Sequence, residues 1–285
     1  MLLTGKNSMC VGYCCRRCVN IYFFTDIQTN ASQYCLLNIK KYDDPRKDSK
    51  QIVFVDPDVM ALKKHDEYPL IEKLHWLANG NLKPNEYLGI DYPSDMNPQL
   101  EQEFIHKSLE NNIKYKDNPQ YICGVQYKWM DYPDFEFRMH ELEPIYAYKK
   151  KIVGLGNLCR LMLNPRRKGF AAEKVYFQKV IDYLIRNKAK FYWVHIYGMS
   201  KMAMKCFIPL LQSYAPNIIL SVDNTKWTQG CNDKLRSKYI RNKYQTQLVP
   251  TKHKQSGISC TKETRNEFFL EYMADLKHAN INLKN

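Results

Sequence analysis

The chain has 285 residues, 45% of them hydrophobic, and a formal net charge of +14. That length and apolar content exclude a disordered or fibrous chain and bury an ample core in one large domain or two small ones. The charge argues for a polyanionic partner, with nucleic acid the first candidate.

Met1, Leu2 and Leu3 are followed at once by Thr4, Gly5, Lys6 and Asn7. No apolar core of a signal peptide is expected there, and no run approaches the ~18 apolar residues of a membrane helix. The expectation is a soluble, cytoplasmic protein with no membrane partner. Cys10, Cys14, Cys15 and Cys18 cluster near the start, whereas the other cysteines are scattered and read as buried thiols. The cluster misses the Cys-x3-Cys-x2-Cys spacing of a radical SAM barrel. Four thiolates could hold structural zinc, but unligated thiols are the simpler reading, and no metal is expected.

Short apolar, β-branched and aromatic runs recur at 2–5 (LLTG), 20–26 (NIYFFTD), 51–57 (QIVFVDP), 86–93 (EYLGIDYP), 121–127 (YICGVQY), 151–157 (KIVGLGN), 191–198 (FYWVHIYG) and 217–223 (NIILSVD). Most are spaced by roughly 30 residues, the length of one βα unit. Their near-continuous apolar character suits parallel strands covered on both faces. Between them, Asn97 and Pro98 open a helix whose face is marked by Leu100, Phe104 and Leu109. Residues 171–187 place Val175, Val180, Ile181 and Leu184 on another stripe. Thr264 and Glu267 form a capping-box pattern ahead of Phe268, Phe269, Tyr272, Met273 and Leu276.

Eight strands with intervening helices predict an α/β fold, a TIM-type (β/α)8 barrel over residues 1–230. A basic helical extension, residues 231–285, would pack on it. An open doubly wound sheet is the alternative. A barrel carries its chemistry at the carboxyl ends of the strands. Asp26, Asp56, Asp91, Gln126, Asn157 and Asp223 all end apolar runs. Each alone reads first as a helix cap, yet together they suggest an acidic site. His195 also ends a run, either touching substrate or satisfied in the core.

Two basic segments could grip phosphate without reading sequence. One is NPRRKGF, with Arg166, Arg167 and Lys168, preceded by Arg160. The other runs from Lys234 to Lys262 and contains Lys234, Arg236, Lys238 and Arg241, no acid, and the interleaved Tyr239 and Tyr244. A solvated helix face is the alternative reading.

Three stretches, VGLGNLCR (153–160), HIYGMSKMAM (195–204) and SVDNTKW (221–227), resemble the tRNA-guanine transglycosylase superfamily. The likeness is to its DNA-modifying branch, the DpdA-like 7-deazaguanine transglycosylases of phages and bacterial genomic islands. It spans roughly residues 50 to 230, and SVDNTKW with its Trp227 is the most specific element. The resemblance implies a TIM barrel and a base exchange in which an aspartate attacks the anomeric carbon of guanosine. It implies Asp223 as nucleophile and Asp56 as general acid/base, with Asp58 two residues on as a second candidate in the same element. It implies Asp91 and Gln126 as readers of the base edge, and Gly154, Leu155 and Gly156 as a strand whose backbone meets the base.

The implied partners are DNA and a free 7-deazaguanine base, 7-cyano-7-deazaguanine or a derivative, with no cofactor. The chain departs from the family at FVDPDV, which lacks the usual glycines, and at Asn224, where Ser is usual. It also departs in the zinc element, where only Cys231, His253 and Cys260 stand, at a different spacing. The chemistry suits the residues. A carboxylate can stabilise an oxocarbenium-like state and then bond to it, and a second carboxylate of raised pKa can move the base's proton. The same reaction on tRNA, and a non-catalytic nucleic-acid-binding barrel, are the competing readings.

Overall fold

The computed structural model describes residues 21–26, 34–43, 51–58, 69–92, 97–147, 150–161, 163, 166, 168–223, 270, 272–278 and 283–284. They form a mixed α/β fold of parallel strands and helices. The strands are β1 (Ile21–Asp26), β2 (Tyr34–Asn38), β3 (Ile52–Asp56), β4 (Glu86–Leu88), β5 (Cys123–Val125), β6 (Ile152–Leu155), β7 (Trp193–Ile196), β8 (Ile219–Asp223) and β9 (Leu283–Lys284). The helices are α1 (Ile71–Trp76), α2 (Pro98–Lys114), α3 (Tyr132–Tyr146), α4 (Phe170–Arg186) and α5 (Lys201–Tyr214).

Seven of the eight predicted runs are strands, and the eighth, residues 2–5, lies outside the described residues. The strand at β2 was not expected. Its register explains why: Thr25 pairs with Cys35, an offset of only ten residues. A spacing rule built on βα units of roughly 30 residues passes over such a short step. The ladder is parallel throughout, in the order β4-β3-β2-β1-β8-β7-β6-β5, with β9 added on β1. Its two end strands approach each other: Leu88 makes a parallel bridge with Tyr121, and Ile122 N donates to Leu88 O at 2.9 Å.

Helix starts follow the local chemistry. Asn97 accepts from Gln99 N at 3.0 Å ahead of Pro98, Asp131 accepts from Asp134 N at 3.0 Å, and Ser200 accepts from Ala203 N at 3.2 Å. The stripe on α4 is rotated from its expected place. Val175 is exposed, while Tyr176, Phe177, Val180, Ile181 and Leu184 are buried. On α2, Leu100 is likewise exposed and Phe104 buried. The Thr264–Glu267 box lies outside the described residues. Among those residues, no helix is long and apolar enough to cross a membrane.

Helices cover one face of the strands. Val125, Leu155, Val194, Leu220 and Val222 pack there with Phe135 of α3, Phe177 of α4 and Phe207 of α5. The segment 272–278 joins this core through Tyr272, Met273 and Leu276, and Asp275 is ion-paired with Lys201 and Lys205 of α5. The opposite face carries an aromatic layer. Phe24 stacks on Phe54 at 4.0 Å between ring centres, and Phe54 of β3 lies 5.6 Å from Trp193 of β7. Three strands separate β3 from β7 in the ladder, so the sheet is strongly curled.

A candidate active site at the carboxyl ends of the strands

Parallel pairing sends every carboxyl end of the ladder to one side, and the polar residues that punctuate the runs gather there. Asp56 closes β3, Asp91 follows β4, Gln126 follows β5, Gly156 follows β6, Tyr197 follows β7 and Asp223 closes β8. In a strand, alternate residues share a face. Trp193, His195 and Tyr197 therefore line up on one strand, and Ser221 and Asp223 on its neighbour, with His195 registered opposite Ser221.

Asp91 and Gln126 are both buried, and Gln126 Nε2 donates to Asp91 Oδ2 at 2.6 Å. Gln126 Oε1 is buried with no hydrogen-bond partner among the described residues. A buried amide oxygen left in this state is costly unless a donor arrives. The pair sits tightly against β6. A Cβ at Gly156 would fall on the Gln126 amide, and one at Gly154 would lie 2.5 Å from the Tyr197 hydroxyl oxygen. Glycine at both positions is what admits these side chains.

Asp56 is partly buried and accepts from Asp58 N at 2.9 Å. The Asp58 carboxylate instead pairs with Lys40 at 2.6 Å. This separates the two acids of FVDPDV: Asp56 is the one that interacts with the other carboxylates. Burial pushes Asp56 up to about 6, the neighbouring Asp223 charge adding to the rise while the Asp58 N–H opposes it. Burial pushes Asp91 up to about 7, against the Gln126 hydrogen bond and with help from the charges of Asp56 and Asp223. The three acids thus form one electrostatic cluster. Burial, reinforced by Asp91 and Asp223, also holds the Tyr197 phenol well above its ordinary range.

Asp223 is anchored at a single oxygen. Oδ1 accepts from Gly198 N at 2.8 Å and lies 3.1 Å from His195 Nε2. Oδ2 takes no hydrogen bond from the described residues. His195 is fully buried (0% exposed), so it meets Asp223 and Ser221 rather than the open side of the site.

The expected backbone contacts at the glycine strand are already occupied in part. Gly156 N donates to Val125 O at 3.2 Å, and Tyr127 donates its hydroxyl hydrogen to Gly156 O at 2.9 Å. The Leu155 side chain packs into the helix-facing core. Asn157 turns away from the site as well, donating to Tyr127 O at 2.6 Å with φ of 62°.

Of the basic residues, Arg166 and Lys168 are exposed in the connection between β6 and α4, on the same side of the sheet as the acids. Arg167, Lys234, Arg236, Lys238 and Arg241, and the side chain of Arg160, lie outside what is described, as do Cys10, Cys14, Cys15, Cys18 and Trp227. Reading the sequence missed Trp193, Tyr197 and Ser221. The i, i+2 spacing of Trp193, His195 and Tyr197, and of Ser221 and Asp223, was the available signal. No group of three or more His, Cys, Asp or Glu able to hold a metal occurs among the described residues.

The arrangement can do acid–base and nucleophilic chemistry. It offers one carboxylate oxygen held by two donors and a partner oxygen that takes no hydrogen bond from the described residues. It offers a second carboxyl whose pKa lies near neutrality, and a third poised against an amide with a vacant acceptor. No family model, no curated protein and no solved structure matches the chain.

Proposed function

We propose that the eight strands β1 to β8 close into a TIM-type (β/α)8 barrel. We propose further that the chain is a base-exchanging transglycosylase of the tRNA-guanine transglycosylase superfamily, replacing guanine in DNA with a 7-deazaguanine. Support for the barrel comes from the Leu88–Tyr121 bridge between the two end strands and from aromatic contacts between strands distant in the ladder. Support for the activity comes from one observation above all: Asp56, Asp91 and Asp223 interact electrostatically at the carboxyl ends of β3, β4 and β8, beside Gln126.

In this reading the open Oδ2 of Asp223 attacks C1′ of the target nucleotide. The glycosidic C–N bond breaks, and guanine leaves with a proton from Asp56 on its ring nitrogen. A carboxyl near pH 6 gives and takes protons at neutral pH. The incoming base returns its ring proton to Asp56, bonds to C1′ and releases Asp223. Splitting the exchange into two displacements keeps each carboxylate within its chemical means.

The base edge offers an N–H beside an exocyclic amine, and ionised Asp91 accepts both. The vacant Gln126 Oε1 offers a further acceptor. A base inside a duplex must be extruded to reach such a site. The net charge of +14, and exposed Arg166 and Lys168 on the same side, suit the phosphates around it.

The test is label incorporation from 7-cyano-7-deazaguanine into guanine-containing DNA, with tRNA alongside. The expected result is incorporation into DNA, its loss in Asp223→Asn, and a denaturant-stable protein–DNA adduct with wild type. Incorporation into tRNA alone moves the substrate to RNA. An Asp223→Asn protein as active as wild type refutes the mechanism. Binding of DNA without any exchange leaves the non-catalytic reading.

A further inference from the structure

Beneath Asp223 lies a chain of side-chain hydrogen bonds that the exchange reaction does not itself call for. Trp193 Nε1 donates to Ser221 Oγ at 2.6 Å, Ser221 Oγ lies 2.8 Å from His195 Nδ1, and His195 Nε2 lies 3.1 Å from Asp223 Oδ1. Every member is buried: Trp193 is 5% exposed, Ser221 1%, His195 0% and Asp223 9%.

The direction of the chain follows from its lower end. An indole N–H can only donate. Ser221 Oγ therefore accepts there and has its one hydrogen to give to Nδ1. With Nδ1 accepting, the ring hydrogen sits on Nε2, aimed at Asp223 Oδ1. The opposite tautomer sets a lone pair against a carboxylate oxygen. The ring is also held in place, at 5.7 Å from Phe24, 4.8 Å from Phe54 and 4.7 Å from Tyr197 between centres.

The set Ser221, His195 and Asp223 has the composition of a hydrolase triad, but the order of access is reversed. In an acyl-transfer triad the hydroxyl meets substrate and the acid orients the imidazole. Here the hydroxyl is enclosed and already bonded to an indole, and the acid stands at the carboxyl end of its strand.

We propose that His195 is a positioning residue for Asp223, held as the Nε2–H tautomer by Ser221 and Trp193, so that Oδ1 is occupied and Oδ2 alone is presented for attack. The proposal rests on the reading of Asp223 as nucleophile. Gly198 N is the second donor to Oδ1, so the carboxylate is gripped from two directions at the same atom. Such a grip fixes the rotation of the carboxylate plane, and a misplacement of about 1 Å at a reacting atom costs on the order of 10²-fold in rate.

Two measurements test it. In 15N NMR of the histidine-labelled protein without substrate, the His195 signals, assigned by their absence from His195→Gln, are expected to show a bare Nδ1 and a protonated Nε2. The reversed tautomer overturns the proposal. In the exchange assay, His195→Phe keeps ring volume and removes the donor. It is expected to lower kcat about 10²-fold while KM for the free base stays within about twofold. His195→Gln places an amide nitrogen near the position of Nε2 and is expected to recover about tenfold of that loss. A wild-type kcat in His195→Phe, a loss carried by KM alone, or a Gln variant no better than Phe overturns it. Asp223→Asn run beside them separates the two claims. Full activity there removes the nucleophile reading and the positioning role with it. An inactive Asp223→Asn beside a fully active His195→Phe removes the positioning role alone.

Discussion

Replacing Asp91 by Asn is expected to change how the stability of the fold depends on pH. The Asp91 carboxyl stands at about 7 in the folded protein against an ordinary 3.8, chiefly because it is buried. The folded state therefore holds this proton more tightly than the unfolded chain does. Stability is greatest with the group protonated, is lost as pH climbs from about 4 to about 7, and levels off above. Between pH 5 and pH 8 this one group removes roughly 2 to 3 kcal/mol, and Asp56, at about 6, removes roughly 1 to 2 kcal/mol more.

Asn keeps the shape of Asp91, and its oxygen can still accept from Gln126. The variant is expected to lose only roughly 1 to 2 kcal/mol over the same range and to be more stable than wild type at pH 8. Urea unfolding of both proteins at pH 5 and pH 8, at constant ionic strength, measures this. If Asp91→Asn loses as much stability between the two pH values as wild type does, Asp91 is not the buried acid described here.

Three more outcomes are expected. Gly156→Ala drives a methyl into the Gln126 amide and separates it from Asp91, so KM for the free base should rise at least about tenfold in the exchange assay. Lys151→Met should cost about 2–3 kcal/mol in urea unfolding. The buried Lys151 Nζ donates to Tyr115 O at 3.0 Å and Asn118 O at 2.7 Å, and both carbonyls lose a charged donor. The Arg166→Ala, Lys168→Ala double variant should flatten the plot of log affinity for DNA against log salt by about 1.8, two phosphate contacts' worth, when read by fluorescence anisotropy across a salt series.

The parallel α/β class was legible because both faces of these strands are buried, which writes itself as continuous apolar runs such as Ile219 to Val222. What was not legible was β2. Tyr34 to Asn38 pairs with β1 at an offset of only ten residues, too close for a rule built on roughly 30-residue units to find it. The rotated stripe on α4 has a related cause. Tyr176 and Tyr183 are amphipathic residues that a strictly aliphatic count leaves off the buried face, yet both are buried here.

The acids of the site were legible only as a set, because each carboxylate at the end of an apolar run reads by itself as a helix cap, and several at one mouth do not. Their hierarchy was not. Asp56 and Asp58 are separated by a turn with Asp58 at φ of 58°, which sends one acid toward Asp223 and the other to Lys40. A sequence shows two aspartates two residues apart but not the backbone angle that parts them. His195 shows the same limit from the other side. As a strand-end histidine it reads equally as a substrate contact or a satisfied core residue, and only the register of β7 against β8 shows what lies opposite it. That register sets His195 across from Ser221 and one step below Asp223, with Trp193 one step below again. Pairing of alternate residues on two parallel strands thus turns four separate letters into one hydrogen-bonded column, whose upper end is a carboxylate gripped at one oxygen by both the His195 side chain and the Gly198 backbone N–H.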